Sequence, residues 1–343
     1  MKKRIHSLLL AALAAGTTNL WAQAPDLPPT PYMGGPVELV EAPNGAIANK
    51  RILDGIDEVA CTEPTIEKPV EDIWVFCGYG LAPIAVIDTD EGLIAFDTGD
   101  TKHDGEILLE AIRTVSDKPF RAIIYGHSHT AFGAGVFAEG QDDLTIIGHP
   151  NLNAVVEANM KAAGFPAYYP EIGPYLTARG LIQFNAFMPS EGPDAWVLPT
   201  TFPEDFTLAY LPVNTPVEDG QEMTVLGVKM QFFTQYGSDD KVHTTVWLPD
   251  RKILFTTLLW SSPPQLYSVR GDVYRDPREW IEGLKFNRSL EPEVLISAAA
   301  RPVVGKEEIQ QRLEGYLDGA SFVLDLSLRG MGGGRGPVVL RVL

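Results

Sequence analysis

The sequence is short of three things: positive charge, cysteine and long apolar runs. Lys and Arg total 27 against 45 Asp and Glu, a formal net charge of −18 at pH 7. Nucleic-acid binders present a basic face, so no nucleic-acid partner is expected. The acidity favours solubility and repels anionic surfaces, but it says nothing about fold. The two cysteines, Cys61 and Cys77, cannot build a sulfur-rich zinc centre. An oxidising compartment would let them pair, closing a loop worth about 3 kcal/mol on chain entropy. Two buried thiols are the other option, and both stay open. Beyond the N-terminus no stretch approaches the roughly 20 apolar residues of a membrane span, so none is expected.

The N-terminus itself is patterned for export. Lys2, Lys3 and Arg4 precede an apolar run from Leu8 to Ala15, and small residues lead to Trp21-Ala22-Gln23-Ala24. Residues 1–24 therefore read as a signal peptide, and the mature protein as periplasmic or secreted. Cleavage after Ala24 would expose Pro25, which is unfavourable, so Ala22 is the other candidate. Residues 25–71 begin with Pro25, Pro28, Pro29, Pro31, Gly34, Gly35 and Pro36 and read as an extended leader.

From Asp72 the patterning changes to that of a folded domain over 72–325, with a tail at 326–343. Residues 72–77, 83–88 and 92–96 read as strands, the last two joined as a hairpin by Asp88-Thr89-Asp90-Glu91-Gly92. A helix is expected over 102–116, then a buried strand Ala122-Ile123-Ile124-Tyr125 ended by Gly126. A strand at 144–147 and a helix at 152–163 follow. Sheet is expected at 207–212, 222–235, 242–248 and 252–257. Helices at 276–288 and 305–317 flank a strand at 293–297. Hairpins, then strand–helix alternation, then hairpins suggest an α/β (α+β) mixed sheet system covered by helices.

Histidine is also scarce. With His6 in the signal peptide, five remain: His103, His127, His129, His149 and His243. His127 and His129 sit in the run IIYGHSHTAFGAG, directly after a buried strand, where sites tend to be built. Alternate residues of extended chain point the same way, so both imidazoles could reach one ion of zinc, copper, iron or nickel. The plainer reading is two polar loop residues. His149 follows a strand and could share the rim. His243, in an expected strand, reads as structural, and His103, at the start of a helix, as solvent-facing.

The context adds a resemblance. The histidine run resembles the His-x-His-x-Asp-His motif of the metallo-β-lactamase superfamily, and Ile94-Ala95-Phe96-Asp97-Thr98-Gly99 resembles that family's strand ending in Asp-Thr-Gly. Four further segments resemble the alkylsulfatase branch. Residues 150–163 look like its helix after the first ligand loop. Tyr236-Gly237-Ser238-Asp239, with Leu248-Pro249 ten residues on, looks like its Pro-Gly-Thr-Glu before a strand ending in Phe-Pro. Ser268 to Asp276 looks like its Leu-Arg-Gly segment, and 295–317 like its Ser-His-His-Trp-Pro strand end and following helix. The resemblance spans about 72 to 325 and implies an αββα sandwich.

Carried over residue by residue, it implies that one zinc is held by His127, His129 and Asp239. Asp97 would be a carboxylate supporting the ligand loop, and Arg270 would hold an anionic group. Asp97 and Asp239 also read as turn residues, and Arg270 also as a surface ion-pair former. The positions implied for a second zinc are Ala131, Phe132, Thr257 or Leu258, and Ala298 to Ala300, none of which binds metal. The expectation is thus one zinc ion and hydrolysis of a small-molecule anionic ester, a sulfate ester above all. The alternatives are a non-catalytic protein of this fold that binds a ligand or partner, and a purely structural exported protein. The oligomeric state stays open.

Overall fold

A computed structural model of the chain describes residues 38–334, apart from 43, 44, 46, 62, 139, 142, 162–206 and 262–274. A small hairpin of β1 (Leu39–Glu41) and β2 (Ile47–Asn49) leads into helix α1 (Lys50–Val59). A seven-stranded sheet follows in simple spatial order. It comprises β3 (Thr65–Val70), β4 (Ile73–Cys77), β5 (Ile84–Thr89), β6 (Gly92–Phe96), β7 (Phe120–Ile124), β8 (Thr145–Gly148) and β9 (Thr215–Pro216). The first four strands are antiparallel meanders, whereas β6 to β9 pair in parallel. Parallel pairing needs crossovers, and α2 (Lys102–Ile112) and α3 (Ala134–Phe137) supply the first two. Thr101 caps α2 by accepting the Asp104 N–H at 3.0 Å. Helix α4 (Leu152–Lys161) follows β8.

The second sheet has five strands in the order β10 (Glu222–Val225), β11 (Val228–Phe233), β12 (Thr245–Leu248), β13 (Ile253–Trp260) and β14 (Val294–Val304). Its first four strands are antiparallel, and β13 and β14 run parallel across α5 (Pro277–Ser289). Helix α6 (Lys306–Gly332) closes the described chain.

Strand alternation sorts the core into three layers. Ile94, Phe96, Ala122 and Ile124 of the first sheet meet Phe232, Val246, Phe255 and Ile296 of the second, and Phe96 lies 5.2 Å from Phe255, centroid to centroid. The opposite faces pack on helices. Leu93, Ala95 and Ile123 meet Leu108 and Ile112 of α2 on one side, and Leu254 and Leu295 meet Trp280, Ile309 and Leu313 on the other. This is the expected αββα sandwich.

Several boundaries differ from the sequence reading. The region 25–71 is not all extended leader: α1 is helical, and β3 pairs with β4 as the outermost strand of the first sheet. Pro69 masked that strand, since proline cannot donate to a ladder; it is tolerated at an edge, and the register shifts between Glu67 and Val70. At the other end, α6 runs through the expected stop at 317 and past 325. Its glycines each cost about 1 kcal/mol relative to alanine, but Ile309, Leu313, Leu317 and Ala320 make a buried stripe that holds the helix. No strand forms over 207–212, and β12 begins at 245 rather than 242.

Candidate metal centre

The site sits where loops from both sheets meet. From the first sheet come the residues after β6 and β7, at the C-terminal ends of parallel strands; from the second comes the β11–β12 connection. The Thr244 N–H donates to the Gly126 carbonyl at 2.9 Å, tying the two together.

Asp97, fully buried, sets the shape of the histidine loop. Its backbone is left-handed (φ 66°), a conformation Asp tolerates better than most residues. Its Oδ1 accepts the Gly126 N–H at 2.8 Å, immediately before His127. Burial pushes its carboxyl up to about 6, against the pull of hydrogen bonds and His127. Gly126 has no alternative: a Cβ there would lie 2.6 Å from the Phe96 ring. The loop returns through Thr130, whose carbonyl accepts the Thr98 N–H at 2.8 Å and the Thr98 hydroxyl at 3.1 Å.

These constraints bring His127 and His129 to Asp239, with one donor atom from each within 4.8 Å of the others. Among the described residues this is the one such His/Cys/Asp/Glu group. The His127 Nε2 lies 3.1 Å from Asp239 Oδ1, and the His129 Nδ1 lies 3.9 Å from Asp239 Oδ2. The side chains of His127 and Asp239 are 11% and 7% exposed, whereas that of His129 is 43% exposed, so the site opens on the His129 side. Burial alone would lower the His127 imidazole, but the Asp239 carboxylate outweighs it and holds the ring up at about 9. Burial would raise Asp239, and His127 overrides that to keep it ionised. Two imidazoles and a carboxylate suit zinc. Metal and proton compete for the same lone pair, so binding releases protons.

Three contributors escaped the sequence reading. His243 is no strand residue: it lies 1% exposed before β12, its Nε2 3.6 Å from Asp239 Oδ1 and its ring edge-on to His127 at 4.9 Å. Its Nδ1 meets the Thr257 hydroxyl, and its Nε2 faces the Asp240 N–H at 3.2 Å, so it pins the turn that carries Asp239. Asp240, half-buried, accepts the Ser128 N–H at 3.2 Å. The Arg275 guanidinium, 4% exposed, lies 3.8 Å from Asp239 Oδ2. One signal was available for His243, its spacing four residues after Asp239. Gly237 to Asp240 is also a tight turn, a Cβ on Gly237 lying 2.4 Å from the Asp240 carbonyl, so turn and donor are the same residues. His149 is buried, its Nδ1 accepting the Asn151 N–H at 3.0 Å, and burial holds its imidazole below the usual histidine range. His103 is exposed. Arg270 lies outside the described residues.

The positions implied for a second ion are filled otherwise. Ala131 is fully buried in the layer under α2. Phe132 packs towards Tyr210, 6.1 Å between centroids. The Thr257 hydroxyl is spent on His243. Leu258 lies in the core under α5, and Ala298 and Ala300 are buried.

No family model matches the chain. Among curated proteins, it is 28% identical over 265 residues to a linear primary-alkylsulfatase from Pseudomonas sp., covering 74% of this chain and 48% of that protein. It is 26% identical over 282 residues to an (R)-specific secondary-alkylsulfatase from Pseudomonas sp., covering 75% and 40%. The chain thus spans about half the length of these relatives or less. Among solved structures, a stereoselective inverting sec-alkylsulfatase from Pseudomonas sp. superposes with a TM-score of 0.68 at 19% identity, over 88% of this chain and 51% of that one. The chain is alkylsulfatase-like in sequence, and its αββα sandwich is the fold of that sec-alkylsulfatase structure.

Proposed function

We propose that this alkylsulfatase-like chain is an exported metal-dependent hydrolase that cleaves a sulfate or related ester with the help of one zinc ion. The observation that carries the reading is the convergence of His127, His129 and Asp239 from two sheets onto one point. Zinc supplies Lewis acidity and makes a nucleophile of water near neutral pH. The chain's own part is positional. Asp97 fixes the loop that aims His127, His243 and Asp240 fix the turn that aims Asp239, and the exposed His129 edge leaves an approach for substrate. Arg270 is assigned to the anionic group of the ester, through charge-assisted hydrogen bonds worth about 1.5–3 kcal/mol. Export rests on residues 1–24, and N-terminal sequencing of the mature protein should begin near Gln23 or Pro25.

Elemental analysis of the native protein should find one transition metal per chain, and alkyl sulfates should be hydrolysed slowly. Two metals, or none after growth in zinc, would contradict the assignment. Arg270→Ala should keep the metal and weaken anionic substrates about 10- to 100-fold, while sparing neutral esters.

The buried alanines and the phenylalanine at the second set of positions favour a second reading, a non-catalytic protein that binds a ligand on the same scaffold. Stoichiometric zinc with no turnover of any ester selects it.

A further inference from the structure

Cys61 and Cys77 lie well away from the metal ligands in sequence and take no part in the site's contacts. Cys77 ends β4, across the ladder from Thr65. Cys61 lies four residues before Thr65, on the approach from α1 to β3. Between them the chain is pressed against the sheet: a Cβ on Gly78 would lie 2.3 Å from the Glu63 carbonyl oxygen. Arg301 clamps the same corner, donating to the Ala60 carbonyl at 3.0 Å and to the Glu67 carboxylate. Both cysteines are free thiols, buried in the same core layer between the sheets at 7% and 0% exposed.

We propose that Cys61 and Cys77 are placed to join as a disulfide that fastens α1 and edge strand β3 to the first sheet. It stands apart from the reading of the metal centre. The co-reactant is a low-molecular-weight disulfide such as oxidised glutathione. Cys61, the residue with the greater exposure, attacks as its thiolate and expels one glutathione, which takes up the proton. Cys77 then gives up its proton and attacks the Cys61 sulfur of the mixed disulfide, expelling the second glutathione. Two protein thiols are oxidised by two electrons, and one glutathione disulfide becomes two thiols. The Cys61 neighbour and burial push the Cys77 thiol up, so its thiolate is scarce in the folded protein and the bond should form while the chain folds.

The test uses the full chain, refolded from denaturant with or without a glutathione redox mixture. Refolded with it, wild type should show no thiol titratable in denaturant, should run as a monomer on a non-reducing gel, and should melt about 5 °C above the reduced form. Cys61→Ser should keep one titratable thiol and lose the oxidant-dependent rise. Two titratable thiols after oxidative refolding, a bond only between chains, or equal melting temperatures for the two wild-type forms would overturn the proposal. The wild-type comparison decides even if the variant does not fold.

Discussion

Two neighbouring regions, framed by many of the same loops, treat burial in opposite ways. Around His127, His129 and Asp239 the chain buries charge: Asp239 and Asp240 are held ionised, and Arg275 is buried beside them. Around Ala131, Phe132, Leu258 and Ala298 it buries hydrocarbon. A buried carboxylate costs several kcal/mol unless it is paired, so hydrocarbon is the easier filling. The polar half is thus the one that requires an explanation beyond stability, and such clusters gather at functional sites. The scaffold delivers both sets of positions, and the residues on it decide which half can hold a metal.

The comparison is most easily broken at His129. It is the most exposed of the three donors, so His129→Ala removes little packing, yet it leaves only two donors for the ion. Stoichiometric metal and all turnover should be lost, while the melting temperature of the metal-free protein should move little. Retention of full activity on sulfate esters would mean the polar half is not the site. The opposite half should behave as core. Ala131→Asp places a carboxylate at a fully buried position among apolar neighbours. It should cost about 3 kcal/mol or more in denaturant unfolding at pH 7. Such a carboxyl has its pKa raised by burial, so the penalty is largest well above the ordinary carboxylate range and should shrink as the pH falls towards 4. An undiminished stability at pH 7 would show that polar space survives there.

Much of this was legible from sequence, for reasons that differ by element. The strands β4 to β8 could be read because each is a short apolar run ended by Gly, Asp or a turn, and His127 and His129 because they directly follow one of them. The ends of the domain were not legible. Pro69 hides an edge strand, and the glycines of α6 hide a helix whose stability comes from the Ile309, Leu313, Leu317 and Ala320 stripe. His243 was misread because its surroundings, Val242 to Val246, alternate as a strand would. The structure holds 242–244 out of the ladder, with the Thr244 N–H bonded to the Gly126 carbonyl. That tertiary contact has no local signature. Arg275 and Asp240 are of the same kind: each is polar in sequence, and only the fold shows that it faces Asp239 or Ser128.

The smallest effect, and the sharpest test of what separates the two halves, is expected from Phe132→His. The position is half-buried and its ring faces Tyr210, so an imidazole fits without a large cavity and should cost about 1–2 kcal/mol. If the second half lacks only a donor at this place, the variant should bind a second zinc, and titration should reach two ions per chain. The contacts argue otherwise. A lone imidazole holds zinc poorly, and its would-be partners are Ala131, a Thr257 whose hydroxyl already serves His243, and the alanines of β14. Zinc titration of Phe132→His should therefore still saturate at one ion, with the affinity of the first unchanged, since Phe132 is not one of its three donors. Two ions would mean that the space beside Phe132 is still a pocket for a cation and that the loss of the second half is shallow.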